Sequence, residues 1–287
     1  MPVAYLNGRF LAQEQACVPV TDRAFLFGDG VYEVIPAYQG HPLRLSQHLT
    51  RLQRSLDGLR LANPMDDAGW RRVVGELIER NGGGDVSVYL QVSRGAPPAR
   101  DHGFPKPGVA ATVTGFCQPL KPWPKDVLER GAAAVVRDDD RWAHCDIKST
   151  ALLANVLLKQ QAIDAGAAEA ILVRDGHVTE GASSNVFVVV GDVALTPPQS
   201  GYVLPGITRD LILELAAADG LPVRFGDVTR SRLYAADEIW ITSSTREALP
   251  ITMLDGQAVG GGKPGPLWRR VHERLQRYKQ AACLQPS

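Results

Sequence analysis

The sequence predicts an α/β protein made of two domains. Short runs that alternate apolar and polar residues recur along the chain, segments with apolar residues every three or four positions separate them, and a proline-rich stretch divides the chain. At 287 residues the chain is long enough for one large or two ordinary domains. We expect a smaller N-terminal α/β domain over 1–118 and a larger C-terminal domain over 126–287.

The N-terminal domain is expected to begin with strands and to continue with helices. Over residues 3–38, the Asn7-Gly8 turn signal and the alternating run VYEVIPAY predict strands and hairpins. Leucines spaced by three and four over 45–59 predict an amphipathic helix, with Ser46 placed to cap its first turn. The remaining expected elements are a helix at 66–80 and strands at 86–92 and 109–116.

A proline-rich stretch is expected to separate the domains. The run CQPLKPWPK at 117–125 holds three prolines in nine residues, which disfavours helix and central strand, so we expect a linker at 119–125. Strand and helix patterns alternate beyond it. The expected elements are a strand at 132–136, a helix at 149–165 closed by Gly166, a hairpin at 168–181 with its turn at Asp175-Gly176, a helix after Gly206 and a final helix at 265–279.

Composition argues against several classes of protein. Lys plus Arg and Asp plus Glu both number 31, so no net charge draws the chain to nucleic acid or anionic lipid. The four cysteines lack the spacing of a zinc site or a disulfide framework, so we expect no metal. We also find no secretory signal and no apolar run long enough for a membrane span, and therefore expect a soluble protein of the reducing cytoplasm.

Lys148 is the first candidate for chemistry, because CDIKSTALLANVLL places it between a short strand-like segment and an apolar helix. Shelter from water disfavours the ammonium form, and the free amine is a nucleophile able to form a Schiff base with an aldehyde. The alternative is a surface lysine at the start of a helix. The motifs that accompany Lys148 decide between these interpretations.

An anion site is predicted where Gly206 of VLPGITRD leads directly into an amphipathic helix. The unpaired N–H groups of Ile207 and Thr208, the Thr208 hydroxyl and the helix dipole can together hold a phosphate. Gly206 would let that backbone approach the anion closely. Ser243 and Ser244, at the end of the strand pattern EIWITSS, are candidate further donors. A common Pro-Gly turn and a polar loop are the alternatives for these two segments.

Glu180 lies at the end of the predicted hairpin in VTEGASSNVF, directly before an apolar strand. A carboxylate that enters a core needs a partner, and a protonated ring nitrogen of a cofactor would be one. The alternative is a turn glutamate that faces solvent.

Arg100 and His102 lie in a loop rich in proline and glycine, SRGAPPARDHGFP. Arg100 can bind a carboxylate with two hydrogen bonds, and His102 offers another donor two residues on. Solvated loop charges are the alternative. In FGDGVYEV, Tyr32 and Val34 share one strand face and are candidate substrate contacts.

Together these segments are similar to fold-type IV pyridoxal-phosphate (PLP) enzymes, the group that holds branched-chain aminotransferases, D-amino-acid aminotransferases and aminodeoxychorismate lyases. DRAFLFGDGVYEV, HLTRL, RW followed by CDIKS, EAILVRDGHVTEGASSNVF and LPGITRD occur in the family's order over nearly the whole chain. The resemblance implies the two-domain fold-type IV architecture, of α/β class with α+β character, and the cofactor at the interface of the domains.

The resemblance also implies a role for each matching residue on the cofactor side. Lys148 matches the catalytic Schiff-base lysine, Glu180 the partner of the pyridine nitrogen, and Leu204 the residue packed against the cofactor ring. The matching phosphate ligands are Arg51, Ile207, Thr208 and Ser244.

On the substrate side, Tyr32 matches an active-site tyrosine, and Arg100 with His102 resembles the carboxylate trap of D-amino-acid aminotransferases. In the family a neighbouring subunit contributes this loop, so the resemblance implies a homodimer. Two departures from the family pattern affect the expected side-chain preference. The APPA run before Arg100 makes the loop one residue longer, and His144 stands where a second basic residue is often found.

The implied activity is PLP-dependent transamination between a D-amino acid, such as D-alanine, and a 2-oxo acid, such as 2-oxoglutarate, by a ping-pong mechanism. Aminodeoxychorismate lyase and branched-chain L-amino-acid aminotransferase are the alternatives within the same fold. The alternative from another class is a non-catalytic protein that binds a phosphorylated ligand at the Ile207 helix.

Overall fold

The computed structural model describes residues 1–106 and 109–284. They form two compact units, the first made of 1–120, 147–152 and 282–284, and the second of 121–146 and 153–281. The segment Ile147–Leu152, which carries Lys148, thus groups with the first unit, whereas the division expected from the sequence places it in the C-terminal domain. The domain boundaries and the linker at 119–125 stay predictions.

The first unit contains an antiparallel sheet of six strands within the described residues. The strands are β1 Val3–Leu6, β2 Arg9–Ala12, β3 Gly30–Tyr38, β4 His41–Pro42, β5 Val86–Ser93 and β6 Thr112–Pro119. Their order in the sheet is β2-β1-β6-β5-β3-β4. The helices are α1 Arg23–Phe27, α2 Leu45–Gly58 and α3 Asp67–Arg80, with a 3-10 turn at Gln13–Gln15.

The core of this unit lies between the sheet and the apolar faces of α2 and α3. Leu52 and Leu56 of α2 and Leu77 of α3 are fully buried there with Val88 and Leu90 of β5. The two helices expected from the leucine and valine spacing are therefore confirmed, and so is the β1–β2 hairpin at Asn7-Gly8. This packing holds β3 and α2 rigidly together, and both carry candidate site residues.

Two local expectations for the first unit are wrong. Ser46 does not cap α2, because the helix begins one residue earlier and its N-cap is Arg44, in the left-handed region at φ 57° with no side-chain cap. Residues 23–27 form a helix and not a strand. The Asp22 side chain accepts an N–H of its first turn, and Gly28 ends the helix in the left-handed conformation, at φ +67°.

The second unit contains a mixed sheet of nine strands within the described residues. The strands are β7 Ala132–Asp138, β8 Glu169–Arg174, β9 His177–Gly181, β10 Asn185–Val190, β11 Val193–Thr196, β12 Val223–Phe225, β13 Glu238–Ser243, β14 Glu247–Leu254 and β15 Gln257–Ala258. Their order is β12-β11-β10-β13-β14-β7-β8-β9, and β15 pairs with β14. The helices are α4 Lys125–Arg130, α5 Leu153–Asp164, α6 Ile207–Ala218, α7 Arg230–Tyr234 and α8 Pro266–Leu284.

Alternate residues of β10 contribute to two different cores. Phe187 and Val189 pack with side chains of α6 and α8, whereas Val186 and Val188 pack with a second cluster that includes Leu233 of α7. The expected β8–β9 hairpin is confirmed, with Asp175-Gly176 at its turn in the left-handed region. Among the described residues, no helix combines the length and the hydrophobicity that a membrane crossing requires.

Two boundaries near the predicted linker and near Lys148 also differ from expectation. Strand β6 continues to Pro119 in the middle of its sheet, three residues beyond the end expected for this strand, so the proline-rich run begins inside the strand. Helix α5 begins at Leu153 and not at 149, because the preceding segment pairs with β3. There the N–H of Thr150 donates to the carbonyl of Gly30 over 2.9 Å.

Candidate active site

Lys148 is fixed through its backbone to β3 and α2 of the first unit. Its carbonyl accepts the N–H of Tyr32 over 2.9 Å, and its own N–H donates to Oγ of Ser55 over 3.2 Å. The side chain is half-buried, and Nζ lies 4.2 Å from the centre of the Tyr32 ring. The structure therefore brings together Lys148 and Tyr32, both of which the sequence singles out.

Arg51 belongs to a buried ion cluster with two residues that sequence reasoning missed. Its Nε and Nη2 donate to the two oxygens of Glu33 over 2.7 and 2.8 Å, and Nδ1 of His48 lies 2.7 Å from the same carboxylate. Burial alone would raise the pKa of Glu33, but the Arg51 charge and its hydrogen bonds hold that pKa well below its usual range. Burial lowers the pKa of His48.

The sequence position of Glu33 could have indicated this ion cluster. Val31, Glu33 and Ile35 alternate onto the fully buried face of the strand, so a carboxylate among them needs a cation. Arg51 of α2 supplies this cation, and His48, three residues earlier on the same helix, adds a ring nitrogen at hydrogen-bond distance. The role of Arg51 as a phosphate ligand stays a prediction, while its guanidinium is oriented by Glu33.

Tyr32 and Val34 lie on the other face of β3 and are half-buried, as the alternation predicts. The Tyr32 ring stacks on Tyr89 at 5.6 Å, and Tyr89 stacks on Phe116 at 4.9 Å, which gives an aromatic row across β3, β5 and β6. Burial raises the pKa of Tyr89 to about 12, with a smaller contribution from Tyr32. This face of the sheet is thus rigid and aromatic, and suits the packing of a flat or apolar group.

Arg100 and His102 lie in an irregular, exposed loop of the first unit. The Phe27 ring brings the two side chains together, since the Arg100 guanidinium carbon lies 4.8 Å from its centre and the His102 ring 5.1 Å from it. The two donors predicted for a carboxylate therefore share one aromatic support. Their role as a trap stays a prediction.

Glu180 is a buried carboxylate at the end of β9 in the second unit. Its Oε1 accepts from Nη1 of Arg141 over 2.6 Å, and its Oε2 accepts the N–H of Leu204 over 2.9 Å and Nδ2 of Asn185 over 3.2 Å. Burial raises the pKa of Glu180 to about 7, although Arg141 and the Leu204 N–H oppose the change. A solvent-facing turn glutamate, the alternative from the sequence, does not fit this environment.

Arg141 is itself fixed by Asp139, and sequence reasoning missed both residues. Nε and Nη2 of Arg141 each donate to one oxygen of Asp139 over 2.9 Å. Nη2 also donates to the carbonyl of Tyr202 over 3.2 Å, and Thr179 donates to Asp139 over 2.7 Å. The charged run DDDR after an apolar strand was the available signal, but it does not say which carboxylate the arginine meets.

The predicted anion site lies where α6 begins. Gly206 is its N-cap and offers no side-chain cap, so the N–H groups of Ile207 and Thr208 have no partner within the helix. A Cβ at Gly206 would lie 1.8 Å from Oδ1 of Asn185, whose Nδ2 donates to the carbonyl of Leu204 over 2.9 Å. Glycine is therefore required by this close approach, and the start of α6 can accept an anion.

Ser243 and Ser244 lie at the sheet end that Asn185 links to the start of α6. Ser243 ends β13, and the preceding residue, Thr242, is the direct partner of Asn185 in β10. The Thr242 hydroxyl is buried and has no hydrogen-bond partner among the residues that the structure describes. Hydroxyls, helix N–H groups and the buried Glu180 carboxylate thus lie around Asn185. The hydroxyls and N–H groups suit a phosphate, and the carboxylate suits a cationic ring.

The predicted site residues thus fall into two groups. Those in the first unit are Tyr32, Val34, Arg51, Arg100, His102 and Lys148. Those in the second unit are Glu180, Leu204, Gly206, Ile207, Thr208, Ser243 and Ser244. Within the described residues, no cluster of His, Cys, Asp and Glu has the arrangement of a metal site, and the four cysteines form no disulfide with one another.

Known proteins resemble this chain over nearly its whole length. It is 42% identical over 270 residues to a D-alanine aminotransferase of Bacillus licheniformis, with 94% of each chain covered. It is 38% identical over 286 residues to a D-alanine aminotransferase of Staphylococcus epidermidis, with 99% of this chain and all of the relative covered.

Solved structures of the same architecture include branched-chain amino acid aminotransferases. One, a T.th. enzyme with pyridoxamine 5'-phosphate, has a TM-score of 0.88 and 28% identity, and covers 97% of this chain and 94% of its own. Another, of Thermoproteus uzoniensis with norvaline, also has a TM-score of 0.88 and 28% identity, with 97% and 95% covered. The family model of amino-transferase class IV matches residues 30–254. The mixed-sheet fold, the relatives and this match agree, and the chain belongs to the class IV aminotransferase family.

Proposed function

We propose that this protein is a PLP-dependent aminotransferase that exchanges an amino group between a D-amino acid, such as D-alanine, and a 2-oxo acid, such as 2-oxoglutarate, by a ping-pong mechanism. The assignment of PLP as cofactor rests on Glu180, which is buried and accepts hydrogen bonds from three donors. It lies next to the start of α6, the proposed phosphate site. The preference for D-amino acids is supported by the curated relatives, which are D-alanine aminotransferases.

The hydrogen-bonding groups around Asn185 fit the cofactor. The N–H groups at the start of α6, the hydroxyls and Arg51 would hold its phosphate, Glu180 its ring nitrogen, and Leu204 would pack on its ring. When bound, PLP forms a covalent bond with an amine and withdraws electrons from the carbon that carries the substrate's amino group. A protonated ring nitrogen would pull the pKa of Glu180 down from its value of about 7 and keep this carboxylate ionised. The hydroxyls assigned to the phosphate are those of Thr208, Ser243 and Ser244.

Lys148 supplies the amine that holds the cofactor and, once freed, moves a proton. Its amine would act as general base towards the proton on the substrate Cα and would then return that proton as general acid. Its backbone bonds to Tyr32 and Ser55 fix the base of the side chain. Arg100 and His102 would fix the substrate carboxylate, and this position decides which face of Cα presents its hydrogen.

Two activities of the same fold are the alternatives. The two solved structures described above are branched-chain aminotransferases, which makes an L-amino-acid substrate the first alternative. Aminodeoxychorismate lyase is the second. The shared placement of Arg100 and His102 on Phe27 suits a small amino-acid carboxylate, which favours transamination over the lyase. The D-alanine aminotransferase relatives favour a D-amino acid over a branched-chain L-amino acid.

The test is to assay the purified protein with D-alanine, L-leucine and aminodeoxychorismate, adding 2-oxoglutarate where an acceptor is needed. We expect pyruvate and D-glutamate from D-alanine, and rates at least about 100-fold lower with L-leucine. Faster turnover of L-leucine, or pyruvate released from aminodeoxychorismate without an acceptor, would replace the proposal by the corresponding alternative. A colourless protein that takes up no PLP would favour a non-catalytic binding protein.

The active form we propose is a cytoplasmic homodimer. Helix α5 exposes Leu153, Val156, Leu157 and Ile163, with 53 to 72% of each residue accessible in a single chain, and a second copy would remove such a face from water. Among the described residues the four cysteines form no disulfide with one another, which suits a reducing compartment. Light scattering of Leu157→Glu against wild type tests the dimer, and a wild-type monomer at micromolar concentration would contradict it. Cell fractionation tests the compartment.

A further inference from the structure

Arg23, at the start of α1, is a buried arginine whose guanidinium binds the loop that carries Arg100 and His102. Only 4% of the residue is exposed. Nη1 donates to the carbonyls of Asp101 and Gly103 over 2.6 and 3.1 Å, and Nη2 donates to the carbonyl of His102 over 3.2 Å. One side chain thus binds three consecutive carbonyls of an otherwise exposed and irregular loop.

Asp29 organises this contact from the other side. It accepts from Nε of Arg23 over 2.7 Å, and from Nε and Nη2 of Arg94 over 2.8 and 3.0 Å. Burial alone would raise the pKa of Asp29, but hydrogen bonds from Arg94 and Arg23 hold it below its ordinary value. The Arg94 guanidinium carbon in turn lies 3.8 Å from the centre of the Phe104 ring. The two arginines that share Asp29 therefore contact every residue from 101 to 104.

Helix α1 also supports the side chains of the loop. Phe27, one turn after Arg23, has the Arg23 and Arg100 guanidinium carbons each 4.8 Å from its centre. The His102 ring lies 5.1 Å from the same centre, tilted by 39°. Arg23 thus fixes the loop backbone, and Phe27 fixes the direction of the two side chains that the loop presents.

We propose that Arg23 is a positioning residue that presets the Arg100 and His102 pair for a substrate carboxylate. This inference rests on the proposed function, because it assigns Arg100 and His102 to substrate. A guanidinium buried with only Asp29 would be an ordinary structural ion pair. The three carbonyl contacts, all to the segment that carries the proposed trap, distinguish this position from such a pair.

The experiment compares Arg23→Gln, Arg100→Ala, the double variant and the surface control Arg72→Gln, all as PLP-loaded protein with D-alanine and 2-oxoglutarate. We expect Arg23→Gln to lower kcat/KM for D-alanine about ten- to a hundredfold through KM, with unchanged PLP affinity. The losses in the double variant should be less than additive, since both changes act through one loop. Arg72→Gln, an exposed residue of α3, should behave as wild type.

Hydrogen exchange of the peptide over 98–104 provides a second readout that needs no activity. We expect faster exchange in Arg23→Gln than in wild type and in Arg72→Gln. Unchanged exchange, wild-type kinetics, or additive losses in the double variant would overturn the proposal. If Arg23→Gln does not fold, Arg23→Lys replaces it, because the lysine keeps a charge at Asp29 but cannot bind three carbonyls. Wild-type protein inactive with D-alanine contradicts the proposed function, and hydrogen exchange then decides the role of Arg23 by itself.

Discussion

Arg141 donates through Nη1 to Oε1 of Glu180 over 2.6 Å, while the rest of its guanidinium binds both oxygens of Asp139. One buried cation therefore forms ion pairs with two buried carboxylates. Because the bidentate contact to Asp139 fixes the plane of the guanidinium, it also fixes the orientation of Glu180. The residue proposed to meet the cofactor ring is thus preset by a residue that would not touch the cofactor.

Arg141→Met tests the importance of this ion cluster for stability. Removing the cation leaves Glu180 without its charge partner and Asp139 with only the longer contact to Arg174, at 3.4 Å, so we expect a loss of about 3 to 5 kcal/mol in the free energy of unfolding. Urea denaturation of the cofactor-free protein measures it. The control is Arg130→Met, which breaks an exposed pair with Asp126 and should cost less than about 1 kcal/mol. Equal costs for the two variants would contradict the role of Arg141.

The raised pKa of Glu180 predicts a specific pH dependence. The folded protein holds this proton up to about pH 7, whereas an ordinary glutamate releases it near 4.5. The proton therefore favours folding at low pH, and this contribution is lost as the pH rises from about 4.5 to 7. Relative to Glu180→Gln, cofactor-free wild type should lose about 3 kcal/mol of unfolding free energy between pH 4.5 and 8. A constant difference, or one that changes in the opposite direction, would refute this state of Glu180.

Gly206→Ala tests the close approach at the start of α6. The new methyl group would displace the Asn185 side chain, which contacts both Glu180 and Leu204. We expect about a tenfold higher Kd for PLP, measured by absorbance titration. The control is Gly75→Ala in α3, where the methyl group meets open space and should stabilise the helix by up to about 1 kcal/mol. PLP affinity unchanged in Gly206→Ala would argue against a phosphate at this turn.

Arg100→Ala tests the proposed carboxylate trap. Arg100 is exposed in a single chain, and a bound substrate would bury it in a hydrogen-bonded charge pair. Loss of that pair should raise KM and cost about 2 to 5 kcal/mol in binding, while the cofactor absorbance stays that of wild type. Steady-state kinetics with D-alanine measure the effect. Lys106→Ala removes another exposed charge from the same loop and serves as control. Kinetics of Arg100→Ala that match those of the control would reject the assignment.

Side chains within local motifs could be singled out from the sequence. Glu180 and the turn at Gly206 stand at junctions between elements, and the structure confirms both, whereas Lys148 lies in an irregular segment that pairs with β3. The apolar spacing likewise predicted α2 and α3. These features depend on residues near in sequence, so their pattern is visible in one chain.

Long-range pairings could not be predicted. Arg141 meets Glu180 across 39 positions, and Arg23 meets the carbonyls of residues 101–103 across about 80 positions. The sequence shows the charges but not the strand order that selects their partners. Helix α1 was missed for a different reason, because its five residues are too few to show a period.

Attachment of the cofactor to Lys148 is the central claim, and borohydride reduction of PLP-reconstituted protein followed by peptide mass mapping tests it most directly. We expect a single modified peptide that contains Lys148, and no modification in a Lys148→Ala variant that loses turnover by several orders of magnitude. Lys159 is a competitor within the chain, because it is half-buried and burial lowers its pKa. Modification at Lys159 in place of Lys148, or no uptake of PLP at all, would contradict the claim.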